Sequence, residues 1–265
     1  TGTMRYPNND TYSGDFRNNL RHGQGKLVYA DSKKGVYEGS FEHDLPHGEG
    51  KISVLVSGQG EKVYTGEMAQ GQRSGIGTLY FPSGATYEGQ WASDTFWGTG
   101  RYRFANSDVY SGAFMGGMRT GVGRMEYANG NSFQGQWQDD CRVKGQYNYK
   151  NGNIYIGEYR NNAMEGIGRF QWADGSSYEG GWAADKAEGI GRFTKPGKGG
   201  YVYEGGWKAN KKDTGDEGEL ARVVYDNGDE FQGQFKRGKM TGEGTLVGKD
   251  GKEQRGQFID GVFQG

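Results

Sequence analysis

The chain has 265 residues, of which 52 are glycine and only 32% are hydrophobic, a share too low for a thick aliphatic core. Aromatic residues make up 14%, which argues against a disordered chain because disordered segments are poor in aromatics. With 32 basic and 33 acidic residues the net charge is −1, which gives no general attraction to nucleic acid or to an anionic membrane.

Ten copies of a motif, aromatic–x–Gly–x–aromatic with some loose matches, follow one another along the chain. The steps between them are 22 to 28 residues and most often 23, so the chain is predicted to be an array of short repeats. A degraded eleventh copy lies at 254–258. We number repeats 1 to 10 by their leading aromatic residues, which are Tyr12, Tyr37, Tyr64, Tyr87, Tyr110, Phe133, Tyr155, Tyr178, Tyr203 and Phe231.

Each repeat is predicted to be two strands. In repeat 4, Tyr87, Gly89 and Trp91 alternate with polar residues, which places the three on one face of a strand. Residues 98–104 alternate in the same way. The glycine between two aromatics is expected to leave a gap into which a ring from a neighbouring strand can lie.

Turn signals lie between the repeats. Asn-Gly and Asp-Gly supply the positive φ angles of tight hairpin turns, so we expect a tight turn from each repeat to the next. The connection inside a repeat, for example Ala92 to Trp97, is expected to be about six polar residues long. The turn pairs are Ser83-Gly84, Asn129-Gly130, Asn151-Gly152, Asp174-Gly175 and Asn227-Gly228.

These patterns predict an all-β fold: an elongated, single-layer antiparallel sheet in which the strands follow one another as a meander. Residues 1–265 are expected to form one continuous array that is part of a longer chain, because the sequence starts and stops partway through a repeat. The single Cys141 excludes an intramolecular disulfide and fits a reducing compartment.

The repeats resemble the MORN repeat (membrane occupation and recognition nexus), whose pattern is roughly YxGxWxxGxxHGxGxxxxxDGxxY. His22 and His47 occupy its histidine position. The resemblance implies a single-layer antiparallel sheet of about ten to eleven tandem hairpins. It also implies a scaffold of cytoskeletal complexes and ciliary radial-spoke heads, or a module of a membrane-associated protein. Its GxG element is present at 23–25, 48–50, 75–77, 121–123, 166–168 and 189–191.

Several repeats depart from this pattern. Repeat 4 has Phe96-Trp97 where a polar residue and histidine are expected, and repeat 6 is one residue short over Asp139–Gly145. Insertions lie near Val54–Lys62, Lys195–Gly200 and Lys211–Glu217.

No motif indicates catalysis, a cofactor or a metal site. The GxG elements lack the helix that a phosphate-binding loop requires. His22, His43 and His47 lack the spacing and the Cys partners of a metal site, and Cys141 has no nearby His that would activate it as a nucleophile. The sequence therefore predicts a protein that is not an enzyme.

The favoured hypothesis is a non-enzymatic scaffold in the cytoplasm and cytoskeleton, as part of an axonemal, radial-spoke-type assembly. Aromatic residues are enriched at interface cores, and self-association is also open. A partner is expected to lie along a groove over Gly89, Gly112, Gly135, Gly157 and Gly180. The predicted partner-binding residues are Phe96, Trp97, Tyr102, Trp91, Trp137, Tyr159, Trp172 and Trp182.

The alternative is a membrane-tethering module that binds anionic phospholipid. Its basis is a basic cluster interleaved with Tyr201, Tyr203 and Trp207. Acidic residues, Asp213, Asp216 and Glu217, follow the cluster at once, so lipid is the less favoured partner. Nucleic acid is not expected, because no excess positive charge is present. The lysines of the cluster are Lys195, Lys198, Lys208, Lys211 and Lys212.

Overall fold

A computed structural model describes residues 1–215 and 219–265, so Asp216 and Glu217 at the end of the third insertion lie outside the described residues. In the described part every regular element is a strand, which confirms the all-β prediction. No helix there could cross a membrane. The strands are β1 Gly2–Arg5, β2 Thr11–Arg17, β3 Leu20–Val28, β4 Val36–Glu42, β5 Leu45–Val56, β6 Gly60–Ala69, β7 Gln72–Tyr80, β8 Thr86–Ala92, β9 Thr95–Arg103, β10 Val109–Met115, β11 Met118–Glu126, β12 Ser132–Gln138, β13 Cys141–Asn148, β14 Ile154–Arg160, β15 Ala163–Gln171, β16 Ser177–Ala183, β17 Lys186–Lys195, β18 Tyr201–Lys208, β19 Lys211–Lys212, β20 Ala221–Tyr225, β21 Glu230–Lys236, β22 Lys239–Val247, β23 Glu253–Ile259 and β24 Val262–Phe263.

The strands form one antiparallel sheet of tandem hairpins, as predicted. Successive strands pair, as β8 does with β7 on one side and with β9 on the other. The insertion in repeat 2 lengthens a hairpin, because Val54, Leu55 and Val56 pair with residues 60–62. In repeat 9, β18 pairs first with the short strand β19 and then with β20.

The chain divides into two compact units. The first unit comprises Thr1–Gly130 and Gln136–Asp140, and the second comprises Asn131–Gly135 and Cys141–Gly265. That residues 1–265 act as one continuous array stays a prediction.

The tight turns lie inside the repeats, which corrects the predicted turn assignment. Ala92 pairs with Thr95, so the loop between β8 and β9 has only Ser93 and Asp94, with φ of 46° and 66°. Positive φ at both central residues is the mark of the type I′ turn, which fits the right-handed twist of a hairpin. The Asn-Gly signals lie in the longer connections between repeats, where only the glycine, for example Gly130 with φ of 91°, has a positive φ.

The leading aromatic residue of each repeat is the centre of its packing. Tyr87 is fully buried, and its hydroxyl donates a hydrogen bond to the Gln90 carbonyl oxygen at 2.7 Å. A Cβ atom on Gly100 would lie 2.6 Å from the Tyr87 ring, so only glycine fits below it. Burial raises the pKa of Tyr87 to about 12. All ten leading aromatics are at most 2% exposed.

The glycines therefore make room for rings, as expected, but the ring over Gly89 belongs to its own strand. Tyr87 lies two residues before Gly89 and covers both Gly89 and Gly100, which pair across β8 and β9. The first glycine of the GxG-type element has a different task. Gly98, with φ of 63°, lies at a β-bulge where the register shifts between Gly89 and Trp91.

Candidate functional site

The predicted tryptophans of the YxGxW motifs are part of the packed face. The Trp91 ring lies edge-on between Tyr64 and Tyr87, with centroid distances of 5.2 and 5.3 Å. Its indole N–H donates to the Gly77 carbonyl oxygen at 3.0 Å. Both the apolar body and the polar tip of the side chain are thus satisfied within the sheet. Trp137 and Trp182 are buried in the same way, with indole N–H groups that donate to the carbonyl oxygens of Gly123 and Gly168, and the predicted residue Tyr159 is also buried.

Phe96 and Trp97 do not form one patch. Phe96 pairs with Trp91 across the hairpin and stacks on Tyr87, with centroids 3.8 Å apart and an interplanar angle of 17°. Trp97 is the next residue along the strand, so it points to the opposite face, and 47% of its surface is exposed.

The prediction of an open groove over the row of glycines is wrong, because the space is occupied. Tyrosine hydroxyl groups would lie 2.4 to 2.8 Å from a Cβ atom on Gly89, Gly112, Gly157 or Gly180, and Phe133 covers Gly135 in the same way. The repeats fill this space with their own rings, so no partner can enter it.

A second line of rings lies beside the leading aromatics in the second unit and is only half-buried. Tyr147, Phe170 and Phe193 pair across strands with leading aromatic residues, which places them on the same face. We call this line the aromatic row. Its members are Tyr147, Tyr149, Phe170, Trp172, Phe193, Tyr201 and Tyr225, with successive centroid distances of 4.6, 5.7, 4.8, 5.7, 5.6 and 6.3 Å.

The aromatic row borders a cleft whose volume lies in the range typical of ligand sites. The cleft in the second unit has a volume of about 540 Å³ and is lined by Phe170, Trp172, Phe193, Tyr201 and Lys212, among others. Burial raises the pKa of Tyr201, which lines the cleft, and of Tyr149 in the same aromatic row. Trp172, one of the predicted residues, lies in the middle of this surface.

The first unit has a smaller surface of the same kind. A cleft of about 390 Å³ is lined by Tyr29, Lys62, Tyr64 and Arg73, among others. The predicted residue Tyr102 lies outside that cleft, half-buried between other rings, with Phe104 at 4.6 Å and Phe81 at 6.0 Å.

An arginine near the start of the second strand covers the rings in several repeats, and sequence reasoning missed it. The Arg119 guanidinium lies 4.6 Å from the centroid of the Trp137 ring and binds Asp140, with Nε 2.7 Å from the carboxylate oxygen. Asp140 is the second residue of the next tight turn. A cation facing a ring and a carboxylate is held by both. The equivalent pairs are Arg21–Asp44 and Arg73–Asp94, at 3.4 and 2.8 Å.

Lys212 occupies this same strand position in repeat 9. Its amine lies 4.0 Å from the centroid of the Tyr201 ring and 4.9 Å from that of Tyr203. Burial lowers its pKa to about 8. The second residue of the next turn is Gly238, whose N–H donates to the Lys212 carbonyl oxygen at 2.8 Å. Within the described residues, the amine of Lys212 forms no ion pair.

The five predicted lipid-binding lysines do not form one cluster. Lys195 pairs with Tyr201 at one end of β18, whereas Lys208 and Lys211 pair with each other at the other end. Tyr201 and Lys208 are the first and last residues of the eight-residue strand β18, so they are about 23 Å apart at ~3.3 Å per residue. Lys212 faces the rings, so the single basic-aromatic patch expected from the sequence is wrong.

The buried amine of Lys212 predicts a pH effect. An unfolded lysine titrates near 10.4, so between about pH 8 and pH 10 the unfolded chain binds more protons than the folded one, and stability rises with pH. Below about pH 8 the charged amine costs stability in full. We expect Lys212→Met to be more stable than the unchanged protein at pH 7, with a smaller difference at pH 9.5. Urea denaturation at both pH values measures this. Lys211→Met, which removes an exposed amine, is the control, and a difference for Lys212→Met that does not change with pH would contradict the assignment.

The three histidines lie in the first unit near one another. The rings of His22 and His43 are 6.1 Å apart, and His47 lies 3.4 Å from Glu42. Among the residues that the structure describes, no group of three or more His, Cys, Asp or Glu side chains could hold a metal ion.

The family model of the MORN repeat matches nine stretches of the chain. Repeat 6, which is one residue short, is not among them. The matched residues are 12–34, 37–53, 64–86, 87–109, 110–132, 155–177, 178–199, 203–213 and 231–253.

No curated protein sequence matches the chain. Among solved structures, it is similar to the TCP domain of Drosophila melanogaster SAS-4 (dCPAP) in complex with a proline-rich motif of Ana2, at 14% identity and a TM-score of 0.39, over 60% of this chain and 83% of that one. It is also similar to the wild-type TCP10 domain of Danio rerio CPAP, at 12% identity and a TM-score of 0.36, over 97% of this chain and all of that one. Likenesses at these TM-scores carry no conclusion about function.

Proposed function

The chain belongs to the MORN-repeat family, and on that premise we propose that it is a non-enzymatic scaffold that holds protein partners against the aromatic row. MORN repeats are typical of repeat scaffolds. A sheet built by stacking short repeats presents a large binding surface with few residues, because each repeat is stabilised by its neighbours.

The aromatic row is the observation that carries this proposal. The leading aromatics are fully buried, but the seven rings of the row are left half-buried on a face that no second layer of the described residues covers. Fully burying an exposed large apolar side chain contributes about 1.5–3 kcal/mol, and completing the burial of a half-buried ring contributes about half of that, so a stable complex requires that the partner cover several rings of the row. Aromatic residues of this kind dominate the energetics of protein interfaces.

Of the eight residues predicted from the sequence, we propose that three contact a partner. Trp172 lies in the aromatic row, and Tyr102 is half-buried among the rings of the first unit. Trp97 is exposed on the opposite face, where it would serve a separate contact.

The setting that we propose is a cytoskeletal assembly in the cytoplasm, of the axonemal, radial-spoke type. The support is the family membership, since MORN-repeat proteins of this kind are scaffolds of such assemblies. The single Cys141 agrees with a reducing compartment.

Affinity purification from native cells tests the proposal. The protein is expected to retain cytoskeletal proteins, and Trp172→Ala is expected to weaken their binding at least about tenfold, because a central ring is lost. Ile190→Ala is the matched control, since Ile190 is 66% exposed on the opposite face.

Co-sedimentation with phosphatidylserine vesicles at physiological salt distinguishes the membrane alternative from the scaffold proposal. Strong vesicle binding that is lost when Lys208 and Lys211 are changed to Glu, together with protein capture that is insensitive to Trp172→Ala, would overturn the scaffold proposal.

A further inference from the structure

We propose that the cleft beside Lys212 and Gly238 binds a carboxylate side chain of a protein partner, next to an apolar side chain that packs on the aromatic row. This inference rests on the proposed function, and it names the chemistry that the partner must bring to the site.

Each arginine at this strand position has a polar partner in the next tight turn, and for Arg142 that partner is Asn162. Where the strand position holds an arginine in the first unit, the next tight turn supplies an aspartate, as in Arg119 with Asp140. Where the strand position is apolar, the turn residue varies: it is Gly117 opposite Phe96, but Asp185 opposite Met164 and Asn210 opposite Ala187. Other pairs of an apolar residue and a glycine, identified by the same hydrogen bond from turn N–H to strand carbonyl, are Pro46 with Gly71 and Met240 with Gly261.

Repeat 9 has a cation at the strand position but no polar side chain at the turn position. It keeps the cation as Lys212, yet its turn residue is Gly238, so the ring-bound amine has no carboxylate from the turn. A cation that is partly removed from water and has no ion-pair partner is costly, and a carboxylate brought by a partner would relieve that cost.

The space that an aspartate would fill is open. A Cβ atom on Gly238 would meet nothing within 4 Å. Gly238 and Lys212 both line the cleft of about 540 Å³, and both also line a second cleft of about 280 Å³ that contains Tyr225. A side chain that enters between them reaches the amine from the side of the aromatic row.

The surroundings favour one carboxylate of a protein over the phosphates of a membrane. The clefts contain carboxylates of their own, Asp185 in the larger and Asp260 in the smaller. They would repel a dianionic phosphate or an anionic bilayer more than a single carboxylate. Lys195 and Lys198 line neither cleft, and Lys211 lines only the larger one.

Selection from a phage-displayed library of random short peptides tests the proposal on the full chain. We expect selected peptides to be enriched in Asp or Glu next to an aromatic or aliphatic residue. A synthetic copy of a selected peptide should bind at least about tenfold more weakly to Lys212→Met, because its carboxylate then has no counter-charge. Lys212→Arg should retain binding, since arginine serves at this position in other repeats.

Gly238→Asp is the sharper variant, because it places the carboxylate in the same chain. Asp44, Asp94 and Asp140 have φ of 71°, 66° and 64° at this turn position, close enough to the 93° of Gly238 for an aspartate to be accepted. We expect Gly238→Asp to raise the melting temperature and to weaken peptide binding at least about tenfold, because it occupies the site. Gly117→Asp, at the turn opposite Phe96, is the matched control and should leave peptide binding unchanged.

Other outcomes would overturn the inference. Peptides without enriched acids that bind Lys212→Met equally well, but lose affinity for Trp172→Ala, would refute the carboxylate site and leave the scaffold function standing. Failure to select any peptide, or binding of phosphatidylserine vesicles that is lost in Lys212→Met, would refute the site as a protein contact. Changing Asp216 and Glu217 to Asn and Gln tests whether a carboxylate of the chain itself, rather than of a partner, pairs with the Lys212 amine. If those changes, rather than Gly238→Asp, alter peptide binding, the inference is wrong.

Discussion

Gly100→Ala is expected to lower the free energy of unfolding by about 2–3 kcal/mol, because its methyl group has no space below the ring of Tyr87. The Cβ atom would lie 2.6 Å from that ring. The ring cannot move away, since Phe96 stacks on it at 3.8 Å and Trp91 and Phe114 pack against its edges at 5.3 Å.

Urea denaturation of three variants measures this effect. Gly2→Ala is the control, because a Cβ atom there meets only ordinary contacts, the nearest at 3.5 Å. The double variant Gly100→Ala with Tyr87→Ala should lose less stability than the sum of the losses of the two single variants, because without the ring the methyl group has room. Additive costs would contradict the packing of this ring over this glycine.

Phe96→Ala is expected to cost about 2–3 kcal/mol of stability, while its neighbour Trp97→Ala costs less than about 1 kcal/mol. Phe96 is stacked against the buried Tyr87 and contacts Trp91 at 4.9 Å, so its removal leaves a cavity in the packed face. Trp97 is nearly half exposed on the other face.

Thermal and urea denaturation of the two variants side by side provide the test, with each serving as the control of the other. A larger loss of stability for Trp97→Ala than for Phe96→Ala would contradict the placement of Phe96 on the packed face and Trp97 on the opposite face.

The strands could be predicted from the sequence because alternation with a period of two is a local signal. The turns were assigned wrongly because Asn-Gly is a stronger local signal than pairs such as Ser93-Asp94. Both kinds of pair supply a positive φ, but only the loop of two residues needs it at both positions. The sequence predicts that a ring covers each glycine. It does not predict that the ring comes from the same strand, because that depends on the direction of the Tyr87 side chain in three dimensions.

The candidate site was harder to predict because its parts are distant in sequence. Arg119 and Asp140 are 21 residues apart and meet only because one repeat lies beside the next. The corresponding spacing is longer in repeat 9 because of its insertion, and there Lys212 meets Gly238 instead of an aspartate. Five lysines within a short stretch suggested one patch, but a strand that runs between them separates the two ends.

Footprinting of side chains in the complex with a captured partner measures directly whether the aromatic row is the binding surface. The extent of labelling should decrease at Trp172, Phe193 and Tyr201 when the partner is bound, because those half-buried rings become covered. Labelling at Ile167 and Ile190, which are 65% and 66% exposed on the opposite face, should not change. Protection of the two isoleucines with unchanged labelling of the three rings would contradict the proposed function.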